Sequence, residues 1–519
     1  MIGSDGAGAI RTMNFHFVSA LADAIRSRPR TVLAWLIGVH LVAWSVVPML
    51  VSDNLQLDLV EGLALGKEWQ FGYWKHPPLP WWTSDLAYRL TGSIYSVYVL
   101  GPLSAVACLY FVWRFGRVTV GPVTALVAVL ALEGLHFINF SAVKFSHDPM
   151  QMPFWALTGW ISYRALTDRK LRDWILAGAC LALAFWAKYT AVTLGLTIGL
   201  VLLFDRDART CWRTAGPYAM AAAFLVVLAP NLWWVVEYDF LPLRYVNIRA
   251  DAAQHWYQFI TFQLEWIVSQ AFFLMPVVVL VGVLYLGGGL RRRSDVAPFA
   301  RRYLTTLALG PFVVTTVIAA SVGRMPVSMW GFPFWIFTPL AFLAWFEPDF
   351  STRVLRRFAT VFVAVFVAYL GSYVAIEVYE PLVHERAKAS DFPGRKLADI
   401  VTERWHEQTG LPLRYVGGTA IGFGPGEFAA NSVAVYSPDR PHVIAHGNFE
   451  ISPWIDPADV RRSGAVFIWQ SGVPATEVPP DIQRTFPTAK LQPSLSLESA
   501  SPYALQPVIV NYVVVLLQD

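Results

Sequence analysis

Between Val32 and Ala375 the sequence returns repeatedly to apolar stretches, each close to the roughly 20 residues that a helix needs to cross a bilayer. A chain with this pattern has few options. Backbone groups in lipid must be paired within the segment itself, so each stretch is predicted to be a helix. Charged residues make up only 15% of the chain and hydrophobic ones 55%, whereas soluble domains carry about 25% charged residues.

Lysine and arginine gather on the cytoplasmic side of short loops. Here the basic clusters fall at Arg26 to Arg30, Arg114 and Arg117, Arg164 to Arg172, Arg206 to Arg213, Arg291 to Arg302, and Arg353 to Arg357. Placing every cluster inside requires two spans between neighbouring clusters, which predicts about eleven spans. They run near 31–51, 94–113, 118–138, 149–166, 174–188, 190–204, 216–236, 263–287, 303–322, 327–346 and 356–376. An odd number puts the C-terminus outside. Residues 1–30 read as a cytoplasmic segment with an amphipathic stretch from Asn14 to Arg26, and the first span reads as an uncleaved anchor. The net charge of +4 is accounted for by the inner loops and does not point to nucleic acid.

After Glu377 the pattern changes to charges, turn residues and short apolar runs, so the expected division is a membrane body over 31–377 and an outer domain over 378–519. A helix from Arg395 to Glu407, ended by Gly410, is followed by strand-like runs at Leu413–Val416, Ser432–Tyr436, His442–Ala445, Ala465–Trp469 and Val508–Leu517. This predicts a mixed α/β domain. Cys108 and Cys180 lie in spans and Cys211 in an inner loop, which leaves no disulfide for the outer domain. Gly422 to Gly426 is glycine-rich but has no strand and helix around it, so it is not a nucleotide fingerprint.

The outer loops carry the chemistry. The first, Ser52 to Ser93, contains Asp58 and Glu61, three apart and therefore on one face of a helix, and then Trp74-Lys75-His76-Pro77-Pro78-Leu79-Pro80. The prolines stiffen the chain and hold a charged pair near the interface. The plainer alternative is an interfacial helix solvated by its acids, with Lys75 reaching for headgroups. The second outer loop, Lys144-Phe145-Ser146-His147-Asp148-Pro149, puts an ammonium, an imidazole and a carboxylate between two spans, which marks a functional site. Asp148 is equally good as a helix N-cap. Lys188, beside Tyr189 at the third turn, and Arg324 at the fifth join Lys75 and Lys144 as outer cations that oppose the positive-inside bias, and together the four suggest an anion cradle. The loop from Glu237 to Tyr257, with His255, reads as an interfacial helix.

An acidic first loop (Asp58, Glu61), then Lys75-His76-Pro77-Pro78-Leu79, then Asp148-Pro149 at a helix start, resembles the glycosyltransferase C superfamily, in its protein O-mannosyltransferase and lipid A aminoarabinose transferase branch. The resemblance covers about the first half of the membrane region. It implies an α-helical polytopic membrane protein of the bacterial inner membrane with a periplasmic C-terminal domain. The implied activity moves a sugar from a polyprenyl-phosphate donor to an envelope acceptor, lipid A or another glycan or glycolipid. It implies Asp58 as general base and Asp148 as the second acidic position. Lys75-His76 lies where aminoarabinose transferases carry a Glu-Lys pair, so the order of charges differs here.

The residue types suit that chemistry independently. A sugar hydroxyl needs a carboxylate to take its proton, and a leaving phosphate needs fixed cations, for which Lys75, His76, Lys188 and Arg324 are candidates. Lys144, His147, Tyr189 and His255 are further candidates. Direct displacement inverts the anomeric centre. No cofactor is called for, although Asp58 and a donor phosphate could hold a divalent metal between them. The rival class is a transporter or flippase for a lipid-linked sugar, which would place its charges near the midplane.

Overall fold

The computed structural model describes residues 4–383, 388–419, 425–501 and 506–517. Three of the five residues in the glycine-rich stretch, Gly422, Phe423 and Gly424, lie outside them. Six helices are long and apolar enough to cross a membrane: Pro29–Val51, Ile94–Thr119, Gly216–Glu237, Gln258–Val283, Pro298–Val322 and Thr352–Val383. The other five predicted spans are also helical but are shorter or more polar: Pro122–Leu132, His147–Asp168, Leu171–Ala187, Val192–Phe204 and Thr338–Trp345. The last of these is preceded by a 3-10 helix over Ser328–Phe337.

Pro122–Leu132 is buried on every side from Thr124 onward, as expected of a helix that is apolar all round. It stops well short of the expected residue 138, and the chain continues in turns to Lys144. Because protein surrounds this stretch, its irregular backbone is tolerated at membrane depth. The N-terminal helix Ser4–Ser27 covers the predicted amphipathic stretch.

The basic clusters interlock at one end of the bundle. Arg164 pairs with Asp173, Arg302 with Asp205 and Asp207, Arg169 donates to Thr210, and Arg293 donates to the Val120 carbonyl. The acidic and basic residues of the first, second and third outer turns lie at the other end. In the middle, His40 Nδ1 and Glu133 Oε1 meet at 2.8 Å with no solvent exposure.

The last long helix runs to Val383, past the expected boundary at Glu377. Beyond it, Gly394–Thr409 forms a helix closed by Gly410, which has φ +68°, the left-handed conformation glycine supplies at helix ends. The central strand Ala465–Ser471 runs parallel to Tyr415–Gly417 on one side and antiparallel to Val508–Val515 on the other. His442–Ile444 extends the parallel edge, and Lys490–Leu491 and Leu495–Leu497 pair with the far side of Val508–Val515.

One predicted strand is wrong: Ser432–Tyr436 is the end of a helix, Pro425–Tyr436. It packs both against Ala465–Ser471 and against the first-loop helix Leu57–Gly66. Ser432 to Val435 are all buried, and periodicity cannot separate strand from helix in so short a segment covered on two faces.

One face of the C-terminal sheet has a core of its own, built around Phe467, Trp469, Phe486 and Val513, while the other face shares its core with the first-loop helix. A single set of buried side chains joins Trp44, Leu59, Leu63, Tyr73 and Trp81 to Leu397, Val433, Val466 and Val514.

Candidate functional site

The sequence Leu57-Asp58-Leu59-Val60-Glu61-Gly62 folds as the first turns of the helix Leu57–Gly66, with its apolar side chains buried. Gly62 and Gly66 let this helix lie against the next one, Leu79–Thr91. A Cβ at Gly66 would collide with the Trp81 carbonyl. Asp58 sits in the first turn, where a carboxylate is favoured by the helix dipole. Asp58 and Glu61, both partly buried, share one face of the helix, one turn apart.

Between the two helices the chain turns through Lys75, with Tyr73 N–H bonded to the His76 carbonyl at 3.1 Å. Pro77 and Pro78 then lead into the second helix. This places the Lys75 ammonium 3.1 Å from Glu61 Oε1 and 3.2 Å from Glu427 Oε2. Glu427 comes from the outer domain, and its Oε2 is also 2.9 Å from His446 Nε2.

The second outer loop brings in Asp148. It lies in the first turn of His147–Asp168; the N-cap is Ser146 and makes no side-chain cap, so the N-cap expected at Asp148 is not there. Its carboxylate is engaged elsewhere: Lys188 Nζ is 2.6 Å from Asp148 Oδ1, and Gln151 donates to the same oxygen at 3.1 Å. Lys188 is 4% exposed because its turn joins two helices inside the bundle. The neighbouring Tyr189 hydroxyl accepts from Asn231. His147 Nε2 donates to the Pro77 carbonyl at 3.2 Å, and its ring lies 4.1 Å from that of His76.

These groups act on one another. Burial pushes the Asp58 carboxyl above the usual range; Lys144, Lys75 and Lys188 oppose the shift and Asp148 adds to it. Burial also raises Glu61, against Lys75, with Glu427 and Asp58 adding to the rise. For Glu427 burial acts upward, but Lys75 and His446 outweigh it and hold the carboxyl low. His76 is pushed far below the ordinary histidine range by burial and by the His147, Lys188, Lys75 and Arg249 charges around it, so it is neutral near pH 7.

Asp58, Glu61, Lys75, His76, Lys144, His147, Asp148 and Lys188 thus converge from three separate outer turns. Of the other three expected members, Tyr189 has its hydroxyl held by Asn231, and two lie apart. The Arg324 guanidinium donates to the Asn247 and Ala250 carbonyls at 3.0 and 2.8 Å and so ties down the end of the helix Leu241–Arg249. His255 is exposed and stacks on Tyr257. Of the four expected cradle cations, Lys75 and Lys188 are held by carboxylates and Arg324 by backbone carbonyls, while Lys144 makes no ion pair among the described residues. Among the described residues no three His, Cys, Asp or Glu side chains gather as a metal site requires.

Four participants were not anticipated. Arg249 and Tyr245 lie on the loop helix that was read as lipid-facing; Tyr245 packs its ring on Trp74 and on His76. Its Arg-bearing amphipathic stretch was the available signal. Glu427 and His446 belong to no motif, and only the fold brings them in.

Comparison with known proteins agrees with this architecture. The family described as dolichyl-phosphate-mannose-protein mannosyltransferase matches residues 75–234. The lipid A galacturonosyltransferase RgtD of Rhizobium johnstonii is 28% identical over 304 residues, which span 57% of this chain and 61% of that protein. The crystal structure of ArnT from Cupriavidus metallidurans bound to undecaprenyl phosphate superposes with a TM-score of 0.59 at 12% identity, covering 92% of this chain and 97% of that one. The apo form of the same protein gives 0.51 at 13% identity, covering 94% and 98%. The chain thus shares the fold of ArnT along nearly its whole length, and over part of its length it is similar in sequence to the mannosyltransferase family and to a lipid A galacturonosyltransferase.

Proposed function

We propose that this protein is an inverting glycosyltransferase that moves a sugar from a polyprenyl-phosphate donor to an envelope acceptor, with lipid A the leading candidate, on the periplasmic face of the inner membrane. The observation that carries the reading is the setting of Asp58. It is a shielded carboxylate with a raised pKa, at the outer end of the bundle, within the field of three lysines from different turns. The names of the relatives supply the substrate classes.

In this mechanism the Asp58 carboxylate accepts the proton of the acceptor hydroxyl as its oxygen bonds to the anomeric carbon. The bond from that carbon to the phosphate oxygen breaks at the same time, and its electron pair leaves on the polyprenyl phosphate. Lys188, Lys144 and Arg249 face the phosphate. The last two make no ion pair among the described residues, so their charge is available to it. His76, kept neutral, presents a ring nitrogen without adding charge.

The test uses purified protein in nanodiscs with polyprenyl-phosphate-linked hexose, pentose and uronic acid, with and without lipid A. Acceptor-dependent release of polyprenyl phosphate is expected, and Asp58→Asn should lower it by about 10²- to 10⁴-fold. Undiminished turnover in Asp58→Asn would refute the assigned base. Movement of intact donor across the bilayer without cleavage would indicate a flippase instead.

A further inference from the structure

The outer domain contributes more than a cover. Its helix Pro425–Tyr436 lies along the first-loop helix Leu57–Gly66 and delivers the Glu427 carboxylate to the same ammonium that Glu61 holds. Lys75 therefore sits between two acids, one from each region of the protein, at 3.1 and 3.2 Å. All three side chains are at most 13% exposed, and the Lys75 ammonium also lies 5.0 Å from the centre of the Trp74 ring.

Glu427 is held in turn. His446 Nε2 is 2.9 Å from its Oε2, and the His446 ring stands edge-on to Trp74 at 5.3 Å. His446 adopts φ +49° and ψ +21°, a left-handed conformation that a residue with a side chain occupies only when its surroundings insist on it. The strained histidine, the carboxylate and the lysine form a chain from the sheet of the outer domain to the helix that carries Asp58. Around this chain the seam is pinned on both sides. Lys67 donates to the Arg440 and Pro441 carbonyls, His442 meets Glu68 at 2.9 Å, and Tyr436 accepts from the Leu55 N–H at 3.0 Å.

An ammonium paired only with Glu61 could rotate on its four-carbon stem. Clamped by two carboxylates it has one position, and it fixes Glu61, one helical turn from Asp58. We infer that Glu427 is a positioning residue of the proposed active site: by sharing Lys75 with Glu61 it makes correct placement of Asp58 depend on docking of the outer domain. This rests on the functional reading given above.

The experiment uses the full chain in nanodiscs and compares Glu427→Gln, Glu427→Asp, Lys75→Met and the double variant Lys75→Met/Glu427→Gln. Two measurements are made: turnover of whichever polyprenyl-phosphate sugar the wild type uses, and hydrogen exchange of Leu57–Gly66 without substrate. Glu427→Gln is expected to lower kcat at least tenfold with KM for the donor changed less than threefold, and Glu427→Asp to recover part of the loss. The double variant should be no worse than Lys75→Met, because both act through one contact. Exchange over Leu57–Gly66 should rise in Glu427→Gln and in Lys75→Met alike.

If the double variant's loss is the sum of the two single losses, Glu427 does not act through Lys75 and the inference is overturned. The same holds if kinetics and exchange in Glu427→Gln match the wild type. If Glu427→Gln unfolds, Glu427→Asp carries the comparison, and normal kcat and normal exchange in that variant together with an unaltered Lys75→Met overturn it. A wild type that cleaves no polyprenyl-phosphate sugar refutes the functional reading alone; the exchange data then decide the clamp by themselves.

Discussion

Replacing Lys188 by methionine is a direct measure of how tightly the second acidic position is held. Lys188 Nζ and Asp148 Oδ1 are 2.6 Å apart, and the two side chains are 5% and 13% exposed. At that distance the direct attraction is about 6 kcal/mol for an effective dielectric constant near 20, most of which offsets the cost of taking both charges out of water. Methionine fills the lysine's volume but leaves Asp148 charged and shielded, a change that costs about 3–5 kcal/mol in buried pairs. Gln151 still donates to the same oxygen at 3.1 Å, and Asp148 keeps slight contact with solvent, so the expected loss is near the lower end, about 3 kcal/mol. Removing the stranded charge as well, in Lys188→Met/Asp148→Asn, should return stability to within about 1 kcal/mol of the wild type. Denaturant unfolding of the detergent-solubilised chain, followed by tryptophan fluorescence, measures both. A Lys188→Met variant within about 0.5 kcal/mol of wild type, or a double variant less stable than Lys188→Met, would refute the argument that this is a desolvated and mutually dependent pair.

Because burial raises the Asp58 carboxyl and a base works only when ionised, turnover should fall on the acid side with a midpoint above the ordinary aspartate value of about 3.9. A pH profile of kcat/KM checks this, and the limb should vanish from the residual activity of Asp58→Asn. Arg324→Ala should leave turnover within about threefold of wild type while lowering stability by about 1–2 kcal/mol, the worth of its bonds to the loop carbonyls. A loss of activity comparable to that of Asp58→Asn would return Arg324 to the chemistry.

The span pattern was legible because apolar length and arginine placement are set by the bilayer, which acts on every residue of a helix at once. Asp58 with Glu61, and Lys75, Lys144, Asp148 and Lys188, could be gathered from their sidedness alone. What could not be read was which cations were already spoken for. Lys75 and Lys188 look like free charges in sequence, yet their partners lie 14 and 352 residues away for the first and 40 away for the second. Arg324 was misread for the same reason: its partners are backbone carbonyls, which any residue can supply and no motif records. Ser432–Tyr436 was taken for a strand because packing on two faces erased the periodicity that separates the two structures.

The buried set that joins Trp44 and the Leu57–Gly66 helix to Val433 and Val514 has a bearing on how such a protein can be recombined. Trimming the chain after the last long helix would not liberate a smaller working unit, because it would strip apolar partners from the very segment that carries Asp58. A chimera that borrows the C-terminal part of a relative should import residues 52–93 along with it. The natural unit of exchange is that pair, discontinuous in sequence and contiguous in space.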